Sequence, residues 1–128
     1  METVKLIVYG TLLSGECNHH FCRNAVNITP CTVTGSIYDT GYGYPAFLPE
    51  GKNVIKAELI EIPLKDWEAV DHLEEYPEVY DRQIFPAKLS DGTEVSGWIY
   101  IMNTLPDMAE VIESGDWKEY RRRKQIVC

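Results

Sequence analysis

An acidic side chain interrupts an apolar stripe in the segment Leu64–Tyr76. Leu64, Trp67, Val70 and Leu73 recur at helical spacing. At about 100° per residue, their mean direction lies about 270° from Leu64. Glu74 falls at about 280°, near the centre of that stripe, while Glu75 and Glu68 fall at about 20° and about 40°, beyond its edge at Leu64. A carboxylate on a core-facing stripe has to be paired, hydrogen-bonded or protonated. Three readings follow. Glu74 forms a buried salt bridge, for which Arg82 is a candidate partner; the helix ends early and Glu74 reaches solvent; or Glu74 is a functional carboxylate with a raised pKa, suited to taking and returning a proton near neutral pH.

A second candidate is Tyr9-Gly10-Thr11-Leu12, at the end of an apolar run. A glycine at a strand exit lets successive backbone N–H groups turn toward an anion, and the Thr11 hydroxyl adds a donor. The competing reading is an ordinary strand exit. Cys17, His19, His20 and Cys22 lie close together, but they lack the paired Cys-x-x-Cys arms of a structural zinc site. No cysteine is paired in sequence with a base that would make it a nucleophile. No metal and no cofactor is expected. Tyr42, Tyr44 and Trp98 have two readings, rings that line a pocket or core and hairpin packing, of which packing is favoured.

These candidates need elements to hold them. Val4–Tyr9 reads as a strand, apolar or aromatic except for Lys5 and so buried on both faces. A short helix is expected over His20–Ala25, then strands over Val33–Asp39, Ala46–Leu48 and Val54–Ile62, with Gly41–Pro45 as a turn. Leu64–Tyr76 is the clearest helix. Arg82–Leu89 and Glu94–Met102 form a hairpin about Asp91-Gly92, and Pro86 places the first of these at an edge or a bulge. A short helix is expected over Asp107–Glu113, and Asp116 caps a final turn starting at Trp117. The basic run Arg121–Lys124 reads as an exposed tail. Strands outnumber what two helices can cover, so the fold class is α+β with a curled or barrel-like sheet.

The 128 residues suit one domain, 1–128, with a core large enough to need no disulfide staple. The net charge of −8 argues against nucleic acid and anionic membranes as partners. No run approaches a membrane span, and no leader pattern opens the chain. A cytoplasmic location is expected, with Cys17, Cys22, Cys31 and Cys128 reduced. Oligomeric state is left open.

Several blocks occur together in order: Tyr9-Gly10-Thr11-Leu12 with Gly15 and Asn18-His19; Gly35 with Tyr38 and Tyr44-Pro45-Ala46; Asp71-His72-Leu73-Glu74 followed by Tyr80-Asp81-Arg82; Gly97-Trp98-Ile99-Tyr100; and Gly115-Asp116-Trp117. Together they resemble the γ-glutamyl cyclotransferase-like family, over nearly the whole chain. The short length looks most like its γ-glutamylamine cyclotransferase (AIG2-like) branch. The resemblance implies a compact mixed β-barrel with a few flanking short helices. It implies a small-molecule γ-glutamyl substrate held by Tyr9, Gly10, Thr11 and Leu12, with Tyr80 nearby. It also implies that Glu74 is the general acid/base of a cofactor-independent reaction releasing 5-oxoproline and a free amine. A non-catalytic, metabolite-binding protein of the same fold is the alternative. One departure stands out: where the family often has glycine after the glutamate, this chain has Glu75.

Overall fold

The computed structural model describes residues 2–127; Met1 and Cys128 lie outside it. Six strands and two short α-helices make up the regular structure: β1 (Thr3–Val8), β2 (Asn27–Asp39), β3 (Pro45–Pro63), α1 (Trp67–Leu73), β4 (Tyr80–Leu89), β5 (Glu94–Met102), β6 (Glu110–Val111) and α2 (Trp117–Arg123). Single 3₁₀ turns occupy His19–Cys22 and Leu64–Asp66. The sheet order β3-β1-β5-β4-β2 closes on itself through a long β2–β3 pairing, giving a five-stranded barrel, with β6 added at the end of β2.

The apolar run of β1 lies between an antiparallel β3 and a parallel β5, which explains its burial from Leu6 to Val8. Leu6, Ile7, Ile37, Phe47, Ile55, Ile60, Ile62 and Ile99 are all essentially buried and, coming from both faces of the strands, belong to one apolar core. Val70 of α1 and Trp117 of α2 pack onto the same core.

Closure also sorts the strand ends. Since β5 runs with β1 while β3 and β4 run against their neighbours, the ends of β1 and β5 and the starts of β3 and β4 gather at one mouth. The chain after β1, from Tyr9 to Asn18, lies at that mouth.

Several expectations need correction. The separate strands Ala46–Leu48 and Val54–Ile62 are one strand, β3. Its pairing with β2 shifts register between Gly35 and Ser36, so that Ser36 faces Leu48 while Gly35 faces Asn53. The intervening residues loop out, and Ser36 Oγ donates to the Glu50 carbonyl at 2.9 Å. Strand β2 begins at Asn27 rather than Val33. The helix expected over Asp107–Glu113 is instead β6, paired with Tyr38 and Asp39, and that expected over His20–Ala25 is only the 3₁₀ turn. Arg121 is tied inward to Glu16 rather than lying on an exposed tail. Cys17 is disulfide-bonded where reduced thiols are expected. Cys22 and Cys31 are free and buried. Among the described residues no helix is long and apolar enough to cross a membrane.

Candidate active site

Helix α1 is shorter than its apolar periodicity suggests. It ends at Leu73, with Glu74 as its C-cap at φ −81° and ψ 0°. Glu75 follows at φ +52°, in the left-handed conformation that helices commonly adopt just past the C-cap and that glycine fills without a Cβ penalty. The departure at Glu75 thus falls on a position whose backbone explains why glycine suits it. Leu64, the first residue of the expected stripe, is exposed, while Val70 is fully buried.

Although the helix stops early, Glu74 does not turn away into solvent. Its side chain lines a small cavity of about 80 Å³ at the barrel mouth, together with Tyr9, Gly10, Thr11, Leu12, Asn18, Tyr44, Leu73, Tyr80 and Tyr100. All six residues singled out as site candidates therefore meet in one place, from β1's exit, α1's end and β4's start. Asn18, Tyr44 and Tyr100 complete the wall. Tyr44 takes the pocket-lining reading rather than the favoured one of core or hairpin packing, as does the exposed Tyr42 in a neighbouring cavity; Asn18 and Tyr100 sit in the blocks quoted above, but nothing in their spacing marks them as lining residues.

Arg82 does not pair with Glu74. Its Nη2 donates to Asp71 Oδ2 at 3.2 Å, and its Nε lies 3.1 Å from Asp71 Oδ1. That Nε makes no hydrogen bond of acceptable angle, so Nη2 carries the directed contact. The guanidinium lies 3.7 Å from the Trp67 ring centroid, 4.4 Å from Tyr76 and 5.0 Å from Trp98, an arrangement that favours a cation over aromatic faces. Asp71 also accepts the Tyr100 hydroxyl at 2.6 Å, and Trp67 Nε1 donates to that same hydroxyl at 3.2 Å. Glu74 has no ion pair or side-chain hydrogen bond among the described residues. Burial first, and the nearby Asp71 charge second, push its pKa from the ordinary 4.5 up to about 7.

The facing loop offers donors. The backbone N–H groups of Gly10, Thr11 and Leu12 make no hydrogen bond within the described residues, while the loop is held by other groups: Leu13 N–H donates to the Gly10 carbonyl at 3.0 Å and Asn18 N–H to the Thr11 carbonyl at 2.9 Å. Asn18 Nδ2 donates to Thr11 Oγ1 at 3.0 Å, which leaves the Thr11 hydroxyl proton free. The His19 ring Nδ1 sits 2.9 Å from the Leu12 carbonyl, bracing the loop. At Gly10 a Cβ would come within 2.6 Å of the Pro45 ring, so only glycine allows β1's exit to close against the start of β3.

The tyrosines are more constrained than their positions suggest. Tyr9 Oη donates to the Tyr100 carbonyl at 2.9 Å and accepts from Phe47 N–H at 3.1 Å. Tyr80 Oη donates to the Pro45 carbonyl at 2.9 Å. Burial is the main reason both hydroxyls have raised pKa values. Their hydroxyls brace the barrel mouth, leaving ring and backbone surface toward the cavity. The Tyr44 hydroxyl has no partner among the described residues.

A family model described as γ-glutamyl cyclotransferase, AIG2-like, matches residues 6–119. The chain is 37% identical over 123 residues to the γ-L-glutamyl-butirosin B γ-glutamyl cyclotransferase of Niallia circulans, covering 91% of this chain and 76% of that protein. The crystal structure of YkqA from Bacillus subtilis superposes with a TM-score of 0.75 at 26% identity, over 97% of this chain and 43% of that longer one. An AIG2-like protein from Mus musculus shares the fold with a TM-score of 0.78 at 20% identity, covering 91% of this chain and 90% of that one.

Proposed function

This chain belongs to the γ-glutamyl cyclotransferase, AIG2-like family, and from that premise we propose that it cyclises a γ-glutamyl amide, releasing 5-oxoproline and a free amine. The observation that carries the reading is that one cavity holds both Glu74, a carboxylate without a cation, and the Gly10–Leu12 loop, whose N–H groups lack partners.

The reaction needs little machinery, because nucleophile and electrophile share one molecule. The substrate's α-nitrogen attacks its own γ-carbonyl carbon, a ring C–N bond forms, and the C–N bond to the leaving amine breaks. The protein's task is to hold the folded, near-attack shape. The N–H groups of Gly10, Thr11 and Leu12, with the Thr11 hydroxyl, take the substrate's anionic oxygens, either the α-carboxylate or the developing oxyanion. Glu74, ionised, accepts a proton from the α-ammonium and so frees the attacking lone pair. Protonated, it returns that proton to the leaving nitrogen as the bond breaks. Overall, two protons leave the α-nitrogen and two arrive on the departing amine. Glu74 relays the one required at bond cleavage, and the second exchanges through solvent. A single carboxylate suffices because it acts as base and then as acid, and a pKa near 7 suits both roles.

Incubation with a panel of γ-glutamyl amides and assay of 5-oxoproline tests the proposal. Glu74→Gln, nearly isosteric, is expected to lower turnover by about a thousandfold or more with the folded circular-dichroism spectrum retained. Undiminished turnover in that variant would sink the assignment. Tight binding of γ-glutamyl amides without 5-oxoproline from any of them would favour the non-catalytic alternative.

A further inference from the structure

Beside the Glu74 cavity lies a second one of about 400 Å³, walled by Tyr42, Tyr44, Glu78, Val79, Met102 and Asn103 among others. Tyr44 lines both, so the two cavities adjoin across this ring. The Tyr42 and Tyr44 rings stand 6.1 Å apart, tilted by 36°, and Tyr42 is 59% exposed. Among the described residues no lysine or arginine lines this cavity. Glu78 lies in its wall, and Asn103 Nδ2 fixes the backbone there by donating to the Pro77 carbonyl at 2.7 Å and the Glu78 carbonyl at 3.1 Å. The neighbouring Glu75 lies close enough that its charge, after burial, is the next cause raising the Tyr44 hydroxyl's pKa. Neither Glu75 nor Glu78 has a side-chain hydrogen bond or ion pair among the described residues. Two electron-rich ring faces and the Glu78 carboxylate thus wall one opening, with the Glu75 charge acting on Tyr44 from nearby, an environment that attracts positive charge.

We propose that the second cavity receives the leaving amine and favours amines that carry a further positive charge, with Tyr42 and Tyr44 offering ring faces and Glu75 and Glu78 the counter-charges. This assignment rests on reading the Glu74 cavity as the γ-glutamyl site. The left-handed backbone at Glu75 fits the idea, since a charged side chain stands where glycine would be better tolerated.

The test compares kcat/KM for the γ-glutamyl amide of 1,4-diaminobutane with that of butylamine. The wild-type ratio is expected to be about tenfold at low ionic strength and to shrink at high salt. In the double variant Glu75→Gln/Glu78→Gln it falls to about threefold, the share left to the two rings. Equal values in the wild type, or a ratio unmoved in the double variant, overturn the proposal. A calorimetric titration with 1,4-diaminobutane alone judges the second cavity without turnover: binding by the wild type that is lost in the double variant supports it, and no binding by the wild type overturns it. If neither amide yields 5-oxoproline, the reading of the first cavity has failed, and the titration still decides on the second.

Discussion

Glu16 and Glu74 are the same side chain in opposite circumstances. Glu16 is fully buried and gripped by a guanidinium fork, with Arg121 Nε and Nη2 donating to its two oxygens at 2.7 and 2.8 Å. That pair ties the loop after β1 to α2, across most of the chain. Glu74 lines a cavity with no cation, its nearest charged influence being the like-charged Asp71. Burial with a partner makes a structural tie. Burial without one makes a group that titrates near neutrality. Arg82, the obvious neutraliser of Glu74, is committed instead to Asp71 and to a cage of three aromatic rings.

The comparison can be broken at either end. Glu74→Gln carries the largest expected effect, the loss of turnover given above, with little change in stability because no partner is orphaned. Arg121→Met should do the reverse. It strands the buried Glu16 carboxylate and lowers stability by about 3 kcal/mol, read as a drop in the urea midpoint, while sparing the chemistry of the folded fraction. If Arg121→Met proves as stable as the wild type, the tie is not what holds that loop.

A pH profile sharpens the contrast. Glu74 must be ionised to accept the first proton, so kcat/KM should rise with pH and level off above about 7. Asp71→Asn removes a like charge and releases Arg82, and both changes favour ionised Glu74. The acidic limb should therefore move to lower pH, measured on the same substrate. An unmoved limb would mean that some other group sets it. The smallest effect belongs to an exposed pair: Arg123→Ala removes the helical partner of Glu119, both more than 45% exposed, and should cost less than about 0.5 kcal/mol in the same unfolding titration.

Much of the fold was legible from local patterns. The β1 run, the hairpin about Asp91-Gly92 and the Asp116 cap, which accepts Glu119 N–H at 3.2 Å, follow from periodicity and turn chemistry that depend on near neighbours. What local pattern misjudged was continuity. Strand β3 passes through Gly51 and Lys52 because its partner β2 holds it on both sides of the register shift, and β6 is a strand only because Tyr38 and Asp39 lie alongside it. Helical periodicity overran α1 for a related reason. Apolar spacing reports which face is favourable, while the turn at Glu75 reports where the helix stops.

Sequence alone determined that Glu74 was anomalous, since the helical stripe requires only residue types and a rotation per residue. It also determined, through ordered blocks, the family to which the chain belongs. Tertiary structure alone decided which acid Arg82 neutralises. Asp71 and Glu74 are both within reach of Arg82 along the chain, and only the seating of β4 against α1 sets the guanidinium beside Asp71. Charge pairing and cavity walls depend on distances across the closed barrel, where groups such as Tyr9, Pro45 and Tyr80 meet from the exit of β1 and the starts of β3 and β4, and no spacing along the chain encodes those distances.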